Sequence, residues 1–514
     1  MPSAKPITTA VLLAAGRGEK LWPYNRVRPK VMVPIANRPV INYVVDGLEA
    51  AGVERIIIAA GPFQGQLRGL FRDRKTVTVV DTSHTSGRGT AETLSAVEDS
   101  ILENLAGDER FALFYGDTLL TRDTVKRFLT TGAETAAEAG RKTGRTNAPP
   151  AEAVLLRNPV PGELRDSVCS LFLESDGEIT EFIGRSRGDY NRGDFAENSV
   201  SSTGVPIAER ETADGESKSR LLPTIPCGFI LSSDVFPYLQ YNPGLFTNVE
   251  VGMMPPAESY LEMSLQLMLQ DGRKIRGIIT DDPVFDIDRP WDILRANEWM
   301  VNAVTGSRHK GKDSRIDETA SIEGAVHLGR GSTIGRNVII RGNVVIGDNT
   351  VVENGALILG NAVIGDNCYI GNYCRLAGVC SVGNKSVVNH CAELEGIIME
   401  GVYLDHYMEL YGIVGMHTDI GAATVCGNLR FDDGDTVHRV RGRREQPAEH
   451  ANAAYIGDFC RTGVNSIIMP GCKTGSYSIV GPGVLLDKDL PENTYLYVKQ
   501  QLESKPWGPE KYGW

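Results

Sequence analysis

A strand–helix alternation from Val11 to about Met300, followed by an unbroken six-residue repeat, predicts two folds in one chain. The first is α/β, with a mostly parallel sheet covered by helices on both faces; the second is a hexapeptide β-helix. The repeat places an aliphatic residue at every sixth position from Ile316 to Leu394, with a small or β-branched residue two positions earlier, from Ser314 to Ala392. Neither an α-helix nor an open sheet buries a period of six, whereas a triangular coil of three hexapeptides stacks such residues into one interior column. Cys368, Cys374 and Cys380 fall at the small positions and read as interior side chains rather than metal ligands. The period breaks near Glu400 and resumes at Ile456. These limits divide the chain into an α/β domain (1–304), a linker (305–314), the β-helix (315–490) and a tail (491–514).

The α/β elements follow in order. Ala10–Ala15 is an apolar run that ends in Gly16-Arg17-Gly18-Glu19-Lys20. That is the pattern of a buried parallel strand feeding a loop whose N–H groups converge on an anion, and Gly16 and Gly18 permit positive φ there. Lys20 and Lys30 add mobile positive charge, so the stretch suits a nucleoside triphosphate. A dinucleotide fingerprint would need glycine where Leu21 stands, and no Gly-Lys-Ser/Thr follows. The run after Lys5 is short for a signal peptide and continues into the α/β pattern. Ile41–Ala51 has helical spacing closed by Gly52, and Arg55–Ala59 and Thr76–Val80 read as strands. Phe111–Tyr115 ends in Gly116-Asp117, which presents a carboxylate where ligands of such sheets sit; capping the next helix is the alternative role for Asp117. Gly87–Glu92 opens another helix, whose start is a natural place for a polar ligand group. Residues 132–152 and 187–220 read as loops, separated by strands at Ser167–Leu173 and Glu178–Gly184.

The 514 residues exceed one small core, and the 41% hydrophobic and 23% charged fractions are those of ordinary globular protein. A net charge of −12 argues against nucleic-acid binding and against a polybasic membrane anchor. No apolar run reaches the roughly 18 residues that span a bilayer. Nine cysteines, odd in number and without a Cys-x-x-Cys, fit reduced thiols in cytoplasm.

Gly18-Glu19-Lys20-Leu21-Trp22-Pro23 and Pro29-Lys30-Val31-Met32-Val33-Pro34 resemble the signature of sugar-1-phosphate nucleotidylyltransferases. The resemblance implies a Rossmann-like sheet of the nucleotide-diphospho-sugar transferase type. It also implies nucleotidyl transfer from an NTP to a sugar-1-phosphate, with release of pyrophosphate. By the same resemblance Ala14, Ala15, Gly16, Gly18, Gly89 and Thr90 bind the nucleotide, Lys20 and Lys30 neutralise phosphate charge, and Asp117 and Asp286 hold Mg²⁺. Four departures stand against this pattern. Glu19-Lys20 replaces Thr-Arg, Gly184-Arg185-Ser186 replaces Glu-Lys-Pro, Pro226 replaces an asparagine, and Asp288 replaces a glycine. They motivate a second reading, a catalytically weakened nucleotide-sugar sensor or oligomeric scaffold subunit, and they leave base and sugar unnamed.

The second half is similar to the acetyltransferase part of archaeal-type bifunctional N-acetylglucosamine-1-phosphate uridylyltransferases. The likeness is carried by His406, Ile420-Gly421-Ala422-Ala423-Thr424 and Asn428-Leu429-Arg430-Phe431-Asp432. It implies a left-handed coil, with His406 as general base in acetyl-CoA-dependent acetylation of an amino-sugar phosphate. It further implies Asn428 and Arg430 at the acceptor or coenzyme A region, and a homotrimer or a multiple of three. A surface or interface role for His406 is the alternative, because Leu404–Gly412 and Glu449–Ala454 differ from the family. Arg439–Arg444 reads either as a contact for coenzyme A phosphates or as a solvated loop.

Overall fold

A computed structural model describes residues 5–103, 105, 110–142, 152–157, 169–174, 177–185, 209–211, 218–244 and 258–512. The chain forms two compact units: Met1–Met300 with Val437–Ala451, and Val301–Thr436 with Asn452–Trp514.

In the first unit Val77–Asp81, Arg55–Ala60, Thr9–Ala14 and Arg110–Tyr115 lie side by side, all parallel. Lys218–Ser232 then runs antiparallel to Arg110–Tyr115 and carries the sheet on to Glu152–Arg157, Ile275–Thr280, Glu178–Arg185 and Cys169–Leu173. The half that bears the glycine loop is therefore parallel, whereas most pairings in the other half are antiparallel. Side chains alternate between two cores, as a strand's period of two requires. Ala10, Leu12 and Ala14 pack with Ile41, Val44 and Leu48 of the helix Val40–Ala50, while Val11 and Leu13 share the opposite core with Ala91 and Leu94. Burial on both faces is why this strand reads as a continuous apolar run.

The expected loop at 132–152 is helical as far as Lys142, the end of Arg122–Lys142; its residues 143–151 lie outside the described part. Ala, Glu, Arg and Lys in that stretch are strong helix formers and outweigh the glycines. Within 187–220, Glu209–Glu211 pairs with the start of Lys218–Ser232, and the remainder lies outside the described residues.

In the second unit each short strand pairs in parallel with the one a coil later, as Val344–Ile346 does with Ala362–Ile364. The spacing of 18 residues between stacked coils is three hexapeptides, and the stacked parallel sheets fit the left-handed β-helix. Leu328, Ile334, Ile340 and their successors form a buried aliphatic column, whereas Ile316 at its start is 37% exposed. Each fully buried side chain of this kind contributes roughly 1.5–3 kcal/mol. The thiols of Cys368, Cys374 and Cys380 point to the backbone carbonyls of Gly383, Asn389 and Ala377, at 3.1, 2.7 and 3.0 Å. Burial pushes Cys374 and Cys380 up to about 12, so both stay neutral.

The coil does not break at Glu400. Glu393 stacks on Glu409 and Tyr403 on Asp419, so the coil continues with a shorter repeat. One continuous strand, Glu393–Ile398, replaces two and pairs with both Arg375–Leu376 and Cys380–Val382. Dropping the corner shifts the sequence period without interrupting the stack. Gly396 makes this possible at φ 120, and a Cβ there would press into the carbonyl of Gly412 in the next coil. Gly396→Ala is expected to cost about 1–3 kcal/mol in urea unfolding, while Glu395→Ala on the exposed side stays within about 0.5. Pairing starts at His309–Lys310, inside the expected linker, and ends at Tyr495–Leu496, inside the expected tail.

Candidate active site

Beyond the carboxyl ends of Thr9–Ala14 and Arg110–Tyr115 lies a cavity of about 370 Å³. Its wall includes the glycine loop, Lys30, Thr90, Asp117, Asp288 and Arg441. Gly18, at φ 61, leads into the short turn Glu19–Leu21. Gly16 is not in the left-handed region, and a Cβ there would meet nothing within 4 Å, so only one of the two glycines is required by backbone conformation. Ala15, Gly16 and Gly18 line the cavity; Ala14 belongs to the hydrophobic core instead.

Lys30 is the centre of the charge arrangement. Its Nζ lies 2.7 Å from Asp117 Oδ2, 2.5 Å from Asp288 Oδ1 and 3.7 Å from Asp286 Oδ1. Pairing of Phe285–Asp286 with Thr118–Leu119 brings these carboxylates together. Burial disfavours the ammonium, but Asp117, Asp288 and Asp286 outweigh it and hold Lys30 well above the usual lysine range. Burial, reinforced by Asp288 and Asp117, pushes Asp286 up to about 7 despite Lys30. Burial also opposes charge on Asp288, yet Lys20, Lys30 and Arg289 hold it well below the usual carboxylate range. Lys20 Nζ is 3.3 Å from Asp288 Oδ2. Asp117 does not cap the following helix, because the Thr121 hydroxyl accepts the Thr124 N–H at 3.1 Å.

Gly89 and Thr90 line the same cavity. The helix start they form is tied to a neighbouring segment: Ala91 N–H donates to the Ser259 carbonyl at 2.9 Å, and the Thr90 hydroxyl accepts from Leu261 N–H at 2.9 Å. Of the other departures, Gly184 and Arg185 continue a strand, Ser186 lies outside the described residues, and Pro226 sits opposite Leu156 in the sheet.

An arm completes this unit. His438–Val440 and Arg443–Glu445 form a hairpin whose two-residue turn, Arg441-Gly442, has φ 48 and 81, the positive values such a turn needs. Arg289, only 2% exposed, grips Glu445 through two bonds of 3.0 and 3.1 Å and reaches Asp288 Oδ2 at 2.6 Å. The Trp291 and His438 rings lie 4.9 Å apart. Arg441 Nε is 3.3 Å from Glu19 Oε2.

In the β-helix His406 Nε2 is 3.5 Å from Asp405 Oδ1, and its ring lies 4.2 Å from that of His390. Its Nδ1 is buried without a hydrogen-bond partner. Asn428 is exposed, and Arg430 is paired through two 2.8 Å bonds with Asp432. Among the described residues no hydrogen bond, ion pair or ring contact joins His406 to Asn428 or Arg430.

Residues 9–153 match the nucleotidyl transferase family, and residues 304–400 match the GMPPB C-terminal domain. The chain carries a nucleotidyl transferase domain. Its organisation matches that of a bifunctional sugar-1-phosphate nucleotidylyltransferase/acetyltransferase of Sulfurisphaera tokodaii, 24% identical over 94% of this chain and 98% of that protein. The bifunctional protein GlmU of Methanococcus maripaludis (strain C7) is 27% identical over 96% and 98% of the two chains. The GlmU of Methanocaldococcus jannaschii is 23% identical over 96% and 98%. No helix among the described residues is long and apolar enough to cross a membrane.

The nucleotidyl transferase domain gathers Ala15, Gly16, Gly18, Lys20, Lys30, Gly89, Thr90 and Asp117 around one cavity, with Asp286 beside Lys30. The sequence marks Asp288 only as a departure and places Arg441 in a run read as a coenzyme A contact or a solvated loop, whereas both line this cavity. Asp288 had a signal, since an extra carboxylate in that position pairs with the unusual Lys20. Arg441 had none at short range.

Proposed function

We propose that this cavity joins the α-phosphate of an NTP to a sugar-1-phosphate and releases pyrophosphate. The observation that carries the reading is the Lys30 ammonium, held among three carboxylates next to a glycine loop at the strand ends. A sugar-phosphate oxygen attacks the α-phosphorus as the bond to pyrophosphate breaks. With a second pKa of about 6, the attacking phosphate is mostly dianionic at neutral pH and needs no general base. Positioning two polyanions and neutralising their charge is then the main task. Lys20 faces the departing pyrophosphate and Lys30 the α-phosphate or sugar phosphate.

The residues fit Mg²⁺. Asp117 and Asp286 offer hard oxygen donors, and Asp286, raised chiefly by burial and further by Asp288 and Asp117, would be favoured in its charged form by a cation bound beside it. Among the described residues no group of three His, Cys, Asp or Glu could hold a metal alone, which suits an ion completed by substrate phosphates. Bound there, Mg²⁺ would supply charge neutralisation across the reacting phosphates. Two of the departures are paired within the site, Lys20 with Asp288 and Glu19 with Arg441, which favours a working enzyme over a weakened sensor.

For the β-helix the reading is acetyl transfer from acetyl-CoA to an amino-sugar phosphate, with His406 as general base. The buried, unpartnered Nδ1 beside Asp405 supports it. Asn428 and Arg430 would reach it from a neighbouring subunit of a trimer. The nine free thiols support a cytoplasmic location. Pyrophosphate release over all pairs of NTP and sugar-1-phosphate tests the first activity and names both substrates. Thiol release from acetyl-CoA, with light scattering on the full chain, tests the second. A monomer, or a trimer that leaves acetyl-CoA untouched, removes the acetyl-transfer reading.

A further inference from the structure

The hairpin arm is remote in sequence from the glycine loop, yet its tip forms part of the cavity wall. We propose that Arg441 is a phosphate-binding residue of the nucleotidyl-transfer site, contacting the β- and γ-phosphates of the NTP and the pyrophosphate that leaves. The inference rests on the function proposed above.

Three observations carry it. Arg441 lines the cavity together with the cations Arg17, Lys20 and Lys30, so a polyanion seated there meets all four. Glu19 lies in the glycine loop itself, where an uncompensated carboxylate would repel a polyphosphate, and Arg441 meets it at 3.3 Å. The arm is also anchored where chemistry is expected. Glu445, three residues beyond the turn, is held by the buried guanidinium of Arg289, which also bonds Asp288. This chain of ion pairs fixes the position of the turn relative to Lys20 and Lys30. A guanidinium so placed offers several N–H donors to phosphate oxygens, which a lysine cannot match in geometry.

The test is calorimetric titration of the full chain with inorganic pyrophosphate and with NTP, alongside steady-state kinetics. Arg441→Ala is expected to weaken pyrophosphate binding and raise KM for NTP by about tenfold or more, with a smaller effect on KM for the sugar phosphate. Arg441→Lys restores part of the loss. Arg444→Ala, exposed on the same hairpin and outside the cavity wall, changes neither. Unchanged pyrophosphate affinity in Arg441→Ala overturns the proposal while leaving the nucleotidyl-transfer reading intact. Faster turnover in that variant also overturns it, and would make the arm a plug instead. A wild-type chain that binds neither pyrophosphate nor any NTP overturns both.

Discussion

Lys30→Met is expected to reduce turnover in nucleotidyl transfer by about a thousandfold, the upper range for losing one preorganised charge at a reacting centre. It also weakens the fold. The ammonium at present offsets Asp117, Asp286 and Asp288 together, and removing one partner from a buried ion cluster costs about 3–5 kcal/mol. Lys30→Arg is not expected to rescue activity. The side chain packs under the glycine loop, where a Cβ on Gly18 would already stand 3.0 Å from Lys30 Cβ, and a planar fork does not fit the same three oxygens. Pyrophosphate release and urea unfolding on the same preparations check both effects. Near-normal turnover in Lys30→Met would remove Lys30 from the machinery.

If Asp117 and Asp286 hold Mg²⁺ as proposed, Asp117→Asn and Asp286→Asn are each expected to lower turnover by about a hundredfold or more and to raise the Mg²⁺ concentration needed for half-maximal rate. Their effects on stability differ in an informative way. Asp286 is held up to about 7, chiefly by burial and by its acidic neighbours, so its charge is a burden to the free protein and the amide is tolerated. Asp117 makes a 2.7 Å ion pair with Lys30, so its loss is felt in the fold as well as the rate. Titrating Mg²⁺ into chelator-treated protein while following rate and melting temperature separates the two. Full activity of both variants at limiting Mg²⁺ contradicts the metal assignment.

The strand–loop start and the hexapeptide column were legible because burial repeats at short range. Ala10–Ala14 is apolar on both faces, and Leu328, Ile334 and Ile340 recur at the coil's own period. The corner dropped at Gly396 looked like the end of the repeat, since losing two residues shifts every later position while the backbone goes on stacking. The site divides along the same line. Gly18, Lys30 and Asp117 stand in local patterns with a physical meaning of their own. Asp288 and Glu19 looked like defects because each partner is distant in sequence. Asp288 answers Lys20 and Lys30, and Glu19 answers Arg441 on an arm far along the chain. Charge compensation across such separations has no periodicity, so a single chain does not display it.

The most direct test of nucleotidyl transfer is a single turnover, with protein in excess over an NTP labelled at the α-phosphate, run with sugar-1-phosphate and Mg²⁺. The account predicts that the label moves into an NDP-sugar and that the released pyrophosphate is unlabelled. Recovery of the label as intact NTP bound to the protein, for every base and sugar offered, would contradict it and leave a nucleotide sensor.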